Sequence, residues 1–218
     1  MDLLPALNNQ LNFIRSFYFT AASAFETLLR EYTPRYEMCH DEPPDEFEKW
    51  QEARSGLEVL GQFGLILVQK AILDYLRFFV IDRIGPNEVP KQKGSAFLKY
   101  EKLLLNHTTF RWEGSPVSRD QIEQINLCRN DFIHDSESEI DGSQPRQSED
   151  HFQKHPSSPF NDPLDRAVRM AFAKANAEEW HETPGLLTVS RSELFSAITA
   201  ARQFCAFVET QEAQTVRG

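Results

Sequence analysis

Hydrophobic residues between Leu3 and Tyr32 recur every three or four positions. This spacing places them along one face of an α-helix. The repeating positions are Leu7, Leu11, Ile14, Phe17 or Tyr18, Ala21, Phe25 and Leu28 or Leu29. A first long helix is therefore predicted from Leu3 to Tyr32, because Pro34 follows and a helix does not continue through it.

A second long helix is predicted from Asp45 to Ile84, which includes the most apolar part of the chain. Gly85 and Pro86 follow, the usual order of a glycine cap and a residue that ends a helix. Gly61 and Gly64 each lower the helix propensity by about 1 kcal/mol. Either a kink or the close approach of another helix would account for them. Charged residues interrupt the segment, so a buried helix is predicted and not a membrane span.

Two later helices carry the same start signal. Ser118 with Gln121, and Ser190 with Glu193, match the capping box, in which two side chains satisfy the first backbone N–H groups. The apolar residues that flank the boxes are Val117 with Ile122 and Val189 with Leu194. These pairs stand where a hydrophobic staple would pack. A fourth helix is therefore predicted over 119–134, and a last helix after the second box.

Shorter segments complete a helical pattern. A third helix is predicted from Ser95 to Leu105 and a further one from Leu164 to Trp180. Residues 135–163 are rich in Ser, Asp, Glu, Pro and His, and are predicted to form a mobile polar loop. The chain is thus predicted to be one all-α domain over 1–218, a bundle of four or five main helices joined by long polar loops.

Composition limits the class of protein, the ligands and the cellular compartment that can be expected for this domain. Hydrophobic residues make up 40% of the chain and charged residues 26%, as in folded globular proteins. The formal net charge of -10 disfavours a broad nucleic-acid-binding surface, so any such contact has to be local. No secretory pattern is visible, and Cys39, Cys128 and Cys205 lack CxxC spacing. A cytoplasmic protein with buried cysteines, and without a metal or cofactor, is expected.

Residues that can bind phosphate and transfer protons lie at the end of the fourth predicted helix. At 100° per residue, the apolar residues on one side of it are Ile122, Ile125, Phe132 and Ile133. Arg129 falls among them, and a buried guanidinium needs a partner because an unpaired charge costs several kcal/mol. Asn130 and His134 lie four residues apart on the neighbouring edge. One side of this helix therefore presents a guanidinium, an amide and an imidazole.

A purely structural interpretation of the same residues is also open. Arg129 could form an ion pair with Glu123 or Asp131, as arginines on helices commonly do. His134 could stabilise the carboxyl end of the helix through the helix dipole. Helix geometry alone does not decide between this interpretation and a functional one.

The string from Cys128 to His134 resembles the R-N-x-x-x-H signature of the HEPN superfamily, with Arg129, Asn130 and His134 at the signature positions. The setting is also similar, since in that family the signature lies on a late helix of an α-bundle. The resemblance implies a HEPN-like fold and a symmetric homodimer in which two signature helices line one cleft. It also implies an endoribonuclease that needs no metal.

The resemblance implies a role for each signature residue. His134 would act as general acid or base toward the ribose 2′-hydroxyl and the leaving oxygen. Arg129 would bind the scissile phosphate, and Asn130 would orient His134 or the phosphate. The expected products are a 2′,3′-cyclic phosphate and a 5′-hydroxyl, and DNA would be spared. A toxin or antiviral defence effector, restrained by a cognate inhibitor or defence-system partner protein, is the expected setting.

A lysine cluster is the second candidate contact with RNA. Lys91, Lys93, Lys99 and Lys102 form the main basic group, and Lys99 and Lys102 are candidate substrate-binding residues. A solvated helix face is the other explanation of this cluster. The alternative function is a non-catalytic HEPN-like module for dimerisation, nucleotide binding or scaffolding. The intact Arg, Asn and His set favours cleavage, whereas the acidic net charge favours the module.

Overall fold

The computed structural model describes residues 3–32, 45–89, 96–128, 158–160 and 188–215. Over these ranges the chain is all-α, as predicted, and contains no strand. The helices are α1 (Leu4–Glu31), α2 (Asp45–Arg83), α3 (Ala96–His107), α4 (described over 119–128) and α5 (Arg191–Thr215), with a 3-10 turn at Pro86–Glu88. The helix predicted from Leu164 to Trp180, and most of the predicted loop over 135–163, lie outside the described residues.

Helices α1 and α2 form an antiparallel pair. The Phe25 ring packs where a side chain at Gly56 would project, and the Phe17 and Phe63 ring centroids are 6.1 Å apart. Buried residues of α1 recur at helical spacing; they are Leu7, Leu11, Ile14, Tyr18 and Ala22. At the position where the pattern allowed Phe17 or Tyr18, the buried residue is therefore Tyr18.

The start of α5 crosses α2 at the two central glycines. A Cβ atom at Gly61 would collide with the main-chain carbonyl oxygen of Val189, and one at Gly64 would lie 2.7 Å from Leu194 Cδ2. Of the two explanations that the sequence allowed, the close approach of another segment is thus the one that applies at both glycines.

Helix ends follow the local signals. Ser190 N donates to Glu193 Oε2 at 2.6 Å, and Glu193 N donates to Ser190 Oγ at 3.3 Å, which confirms the predicted capping box. At the end of α2, Gly85 N donates to the Val80 carbonyl oxygen at 2.8 Å, and Gly85 adopts a φ of 140°. A side chain would strain this conformation, so the glycine is required at this turn.

Buried polar groups join α2 to α5 further along. The Tyr75 hydroxyl donates to the Cys205 carbonyl oxygen at 3.0 Å, and burial raises the pKa of Tyr75 far above its usual range. Cys205 is fully buried, and burial raises the pKa of its thiol as well. Cys128 is buried too, so the prediction of buried cysteines is confirmed for both described positions.

An aromatic cluster fastens α3 and the segment after it to α5. The Phe204 ring centroid lies 5.3 Å from that of Trp112, 6.1 Å from that of Phe110 and 6.3 Å from that of Phe97. Phe97, Phe110 and Phe204 are fully buried, and each buried ring removes a large apolar area from water. This cluster therefore packs α3 and the segment after it against α5.

Two of the three described residues of the predicted mobile loop are buried in the core. Ser158 and Phe160 are buried, the Ser158 hydroxyl donates to Gln124 Oε1 at 3.1 Å, and Thr188 N donates to the Phe160 carbonyl oxygen at 2.8 Å. These residues adopt a turn, and the mobility predicted for the loop stays a prediction. A single phenylalanine in a polar segment gains enough by burial to anchor its neighbours, although it barely changes the composition of the segment.

A ring cluster lies on the surface of the α1–α2 pair. Phe13 is 65% exposed, Phe63 is 47% exposed and Val59 is 62% exposed. The Phe13 and Phe17 ring centroids are 6.1 Å apart, and Phe17 also meets Phe63. We call Phe13, Phe17, Val59 and Phe63 the exposed ring cluster. Grouped apolar side chains of this kind mark interaction surfaces more often than scattered ones do.

In the described part of the chain no helix combines the length and the apolar character that crossing a membrane requires.

Candidate functional site

Helix α4 leads into the R-N-x-x-x-H string, so its position fixes where that string begins. Ser118 N donates to Gln121 Oε1 at 3.0 Å, and Gln121 N donates to Ser118 Oγ at 3.2 Å. Val117 and Ile122 are both buried beside this box. The capping box, the apolar residues of the staple and the start of the helix at residue 119 are therefore as predicted.

A charged network ties the first turn of α4 to α3. Arg119 donates from Nε to Glu101 Oε1 at 2.6 Å, from Nη2 to Glu101 Oε2 at 3.1 Å and from Nη1 to Glu123 Oε2 at 2.8 Å. Trp112 Nε1 donates to the same Glu101 at 2.9 Å. The hydrogen bonds to Glu101 raise the pKa of Arg119, so this guanidinium keeps its charge. The forked contact fixes the direction of α4 more tightly than a single ion pair would.

A buried amide pair ties the middle of α4 to α2. Gln69 Nε2 donates to Asn126 Oδ1 at 3.2 Å, and Asn126 Nδ2 donates to the Ile122 carbonyl oxygen at 2.8 Å. Gln69 is 8% exposed and Asn126 is 4% exposed, so neither amide exchanges its partner for water. Because polar groups in a core have to be paired, this bond selects one register of α4 on α2.

Breaking the amide pair is expected to destabilise the fold measurably. Asn126→Leu leaves the Gln69 amide buried without its acceptor, which should lower the free energy of unfolding by about 1–3 kcal/mol. Urea denaturation followed by circular dichroism measures this change. The double variant Gln69→Leu with Asn126→Leu replaces both amides by apolar groups and should recover most of the loss. Equal stability of the single variant and the wild type would contradict this role of the pair.

The candidate catalytic residues follow directly on this anchored segment. Ile122, Ile125 and Cys128 are buried on α4, which confirms the described part of the predicted apolar stripe. Arg129, Asn130 and His134 themselves lie outside the described residues. Their assignment as catalytic residues stays a prediction from the sequence string.

The lysines predicted to contact substrate lie one turn apart on α3. Lys99 is half-buried and Lys102 is exposed. The carboxylate of Glu101, which lies between them in sequence, is turned toward Arg119 and Trp112. Lys102 is thus open to solvent, and the role of both lysines in substrate binding stays a prediction.

A cleft of about 220 Å³ separates the first turns of α4 and α5. Its lining combines apolar residues such as Ile125, Phe160 and Ala197 with the polar residues Gln121, Gln124, Ser192, Ser196 and Glu193. Hydroxyl and amide groups suit a neutral ligand, and a carboxylate repels phosphate. This cleft therefore does not have the chemistry needed to hold an RNA backbone.

The contacts that hold α4 were only partly visible in the sequence. Arg119 and Glu123 are four residues apart, a spacing that indicates a helical ion pair. The partnership of Gln69 with Asn126 spans 57 residues and has no local signal.

Comparisons with family models, with curated proteins and with solved structures found no match for this chain.

Proposed function

We propose that this chain is a metal-independent endoribonuclease of the HEPN type, with Arg129, Asn130 and His134 as its catalytic group. The observation that carries the proposal is the R-N-x-x-x-H string on an all-α chain, directly after the described part of α4. That helix begins at the predicted residue, buries Ile122 and Ile125 from the described part of the predicted stripe, and is anchored by Arg119 and Asn126.

The proposed chemistry uses the intrinsic properties of the three side chains. The imidazole of His134 takes a proton from the ribose 2′-hydroxyl or gives one to the departing 5′-oxygen, since its usual pKa lies near neutrality. The planar guanidinium of Arg129 holds the phosphate through paired N–H groups and offsets the charge that develops in the transition state. Asn130 orients either the imidazole or the phosphate.

The proposed assembly is a homodimer in which two copies of the string face one RNA strand. A shared cleft would give Arg129 a partner, because the phosphate would meet a guanidinium that follows a buried stripe. An enzyme that cuts cellular RNA has to be restrained, so an inhibitor or defence-system partner protein belongs to the proposal. A toxin or antiviral effector that works in the cytoplasm fits this requirement.

Incubation of the purified chain with RNA in EDTA tests this proposal. Cleavage should proceed without added metal and leave 2′,3′-cyclic phosphate and 5′-hydroxyl ends, because the 2′-hydroxyl is the attacking group. End-group analysis by mass spectrometry reads out these products. The same sequence made as DNA should stay intact. RNA that stays whole in every buffer would remove the nuclease, and 3′-hydroxyl products would rule out this mechanism.

The exposed ring cluster favours a second candidate, a non-catalytic HEPN-like module for dimerisation, nucleotide binding or scaffolding. Exposed grouped rings such as Phe13 and Phe63 are typical of protein-binding surfaces, where aromatic side chains are enriched. The net charge of -10 also fits a protein partner better than it fits RNA. Intact RNA together with a stable dimer in light scattering would favour this module over the enzyme.

A further inference from the structure

The face shared by α1 and α5 differs in charge from the rest of the chain. From Leu4 to Phe25 and from Leu194 to Val208, the only charged residues are Arg15 and Arg202. The whole chain carries 33 acidic and 23 basic residues. An acidic protein thus contains two long helical segments whose only charges are guanidinium groups.

These two segments lie side by side. The Tyr18 and Phe195 ring centroids are 5.9 Å apart, and Arg202 contacts α1 about two to three turns nearer its start. The helices are therefore antiparallel, and Arg15 and Arg202 share one face. We call the surface formed by Asn8, Asn12, Arg15, Phe19, Arg191, Phe195 and Arg202 the arginine face.

Arg202 is held on this face by neutral oxygens. Its Nε donates to Asn8 Oδ1 at 2.9 Å, and its Nη2 donates to Asn12 Oδ1 at 3.0 Å. Among the described residues, no carboxylate forms an ion pair with it. The two amides fix the plane of the guanidinium and leave its charge and its other N–H donors for an outside anion.

Arg15 and Arg191 are held by rings. Arg15 Cζ lies 5.1 Å from the Phe195 ring centroid, and Arg191 Cζ lies 4.9 Å from the Phe19 ring centroid. Stacking fixes a guanidinium plane while its N–H groups stay free at the rim. Arg191 also meets Glu26 at 3.4 Å, but both side chains are partly exposed, so this pair contributes little.

The rings supply a second kind of contact. Phe19 is 57% exposed beside Arg191, although exposing an apolar ring to water is unfavourable. Arg191 and Arg202 are separated by about 16 Å along α5 at the usual helical rise. Guanidinium groups spaced along a surface with an exposed ring are the elements with which proteins hold single-stranded nucleic acid.

We propose that the arginine face binds single-stranded RNA, with Arg15 and Arg202 on phosphates and Phe19 stacked on an unpaired base. A duplex hides the flat faces of its bases, and an acidic peptide offers no such faces, so the exposed ring favours a single strand. The preference for RNA over DNA rests on the proposed function. Binding at this face does not depend on cleavage.

Fluorescence anisotropy with a labelled RNA of about 12 nucleotides tests the proposal. The RNA carries 2′-O-methyl groups throughout, so attack by the 2′-hydroxyl is blocked whatever the chain does to ordinary RNA. We expect the full chain to bind with a Kd of roughly 10 μM at about 50 mM salt. Arg15→Gln and Arg202→Gln should each weaken binding about tenfold, the value of one hydrogen bond to a charged group. Each should also lower the salt slope by about 0.7.

Stacking has its own variant and its own control. Phe19→Ala should weaken binding about tenfold through the lost stacking contact. Phe78→Ala removes a ring that is 52% exposed on α2, outside both the arginine face and the exposed ring cluster, and should leave the Kd unchanged. Arg54→Gln is the charge control, because Arg54 also lies over a ring, that of Trp50 at 5.6 Å, but stands on α2 outside the arginine face.

Several results would overturn the proposal. They are absence of RNA binding by the wild type, an equal loss of RNA affinity in Arg54→Gln and Arg15→Gln, and tighter binding of a poly-glutamate peptide than of RNA. The last result would assign the face to an acidic protein. If Arg202→Gln fails to fold by circular dichroism, Arg15→Gln decides, since its described contact is a ring and not a hydrogen bond. Binding without cleavage of ordinary RNA would remove the nuclease alone.

Discussion

Replacing His134 by alanine is expected to lower the rate of RNA cleavage by about 10³-fold, because the proton transfer to or from the ribose and the leaving oxygen loses its carrier. Arg129→Ala should lower the rate by at least about 10²-fold, through loss of charge stabilisation in the transition state. Arg129→Lys should stay slow, since an ammonium cannot replace a planar fork on phosphate. Single-turnover cleavage of end-labelled RNA in EDTA measures these rates.

Two control variants replace a histidine and an arginine that lie outside the signature string. His107 is an exposed histidine at the end of α3, and Arg54 is an exposed arginine on α2. His107→Ala and Arg54→Ala should cleave RNA at the wild-type rate. Cleavage that survives in both His134→Ala and Arg129→Ala would trace the activity to a contaminant or to other residues, and the proposed catalytic group would be wrong.

Gly61→Ala is expected to destabilise the fold by about 3 kcal/mol, although alanine is the better helix former by about 1 kcal/mol. The added Cβ would meet the main-chain carbonyl of Val189, which cannot rotate away as a side chain can. The start of α5 would have to move off α2. A chain of this size should lose roughly 6–12 °C in Tm, measured by thermal denaturation.

Alanine substitutions at other positions of α2 should lower the stability less than Gly61→Ala does. Gly64→Ala meets only the Leu194 side chain, and Gly56→Ala meets only the Phe25 ring, so both should cost less than Gly61→Ala. Ser55→Ala is exposed and should change stability by no more than about 0.5 kcal/mol. A Gly61→Ala variant more stable than the wild type would show that α5 does not approach α2 so closely in solution.

The starts and ends of helices could be predicted because their causes are local. The boxes at Ser118 and Ser190 act within one turn, and Gly85 ends α2 through its own backbone conformation. The signature string at Arg129 is equally local, which is why a function could be proposed from the sequence. No local sequence signal shows which segment or subunit faces such a string, so the homodimer around it stays a prediction.

Contacts between distant segments could not be predicted. Helical spacing allowed either Phe17 or Tyr18 as the buried residue, and the structure buries Tyr18 at the middle of the apolar face of α1 while Phe17 is 37% exposed beside it. Gly61 left two explanations open, since only the position of Val189 distinguishes them. The contact between Asn12 and Arg202 spans 190 residues, and neither residue is unusual in its own helix. Tertiary packing decides such cases.

The exposed ring cluster has a consequence for how this protein behaves near its isoelectric point, which lies at about pH 5.1. At neutral pH the excess of carboxylates keeps molecules apart, so Phe13 and Phe63 seldom meet their counterparts on another copy. As the pH falls and carboxylates become protonated, the electrostatic repulsion between molecules disappears, whereas the hydrophobic attraction between the exposed rings remains. Self-association of this protein is therefore expected to increase as the pH approaches its isoelectric point.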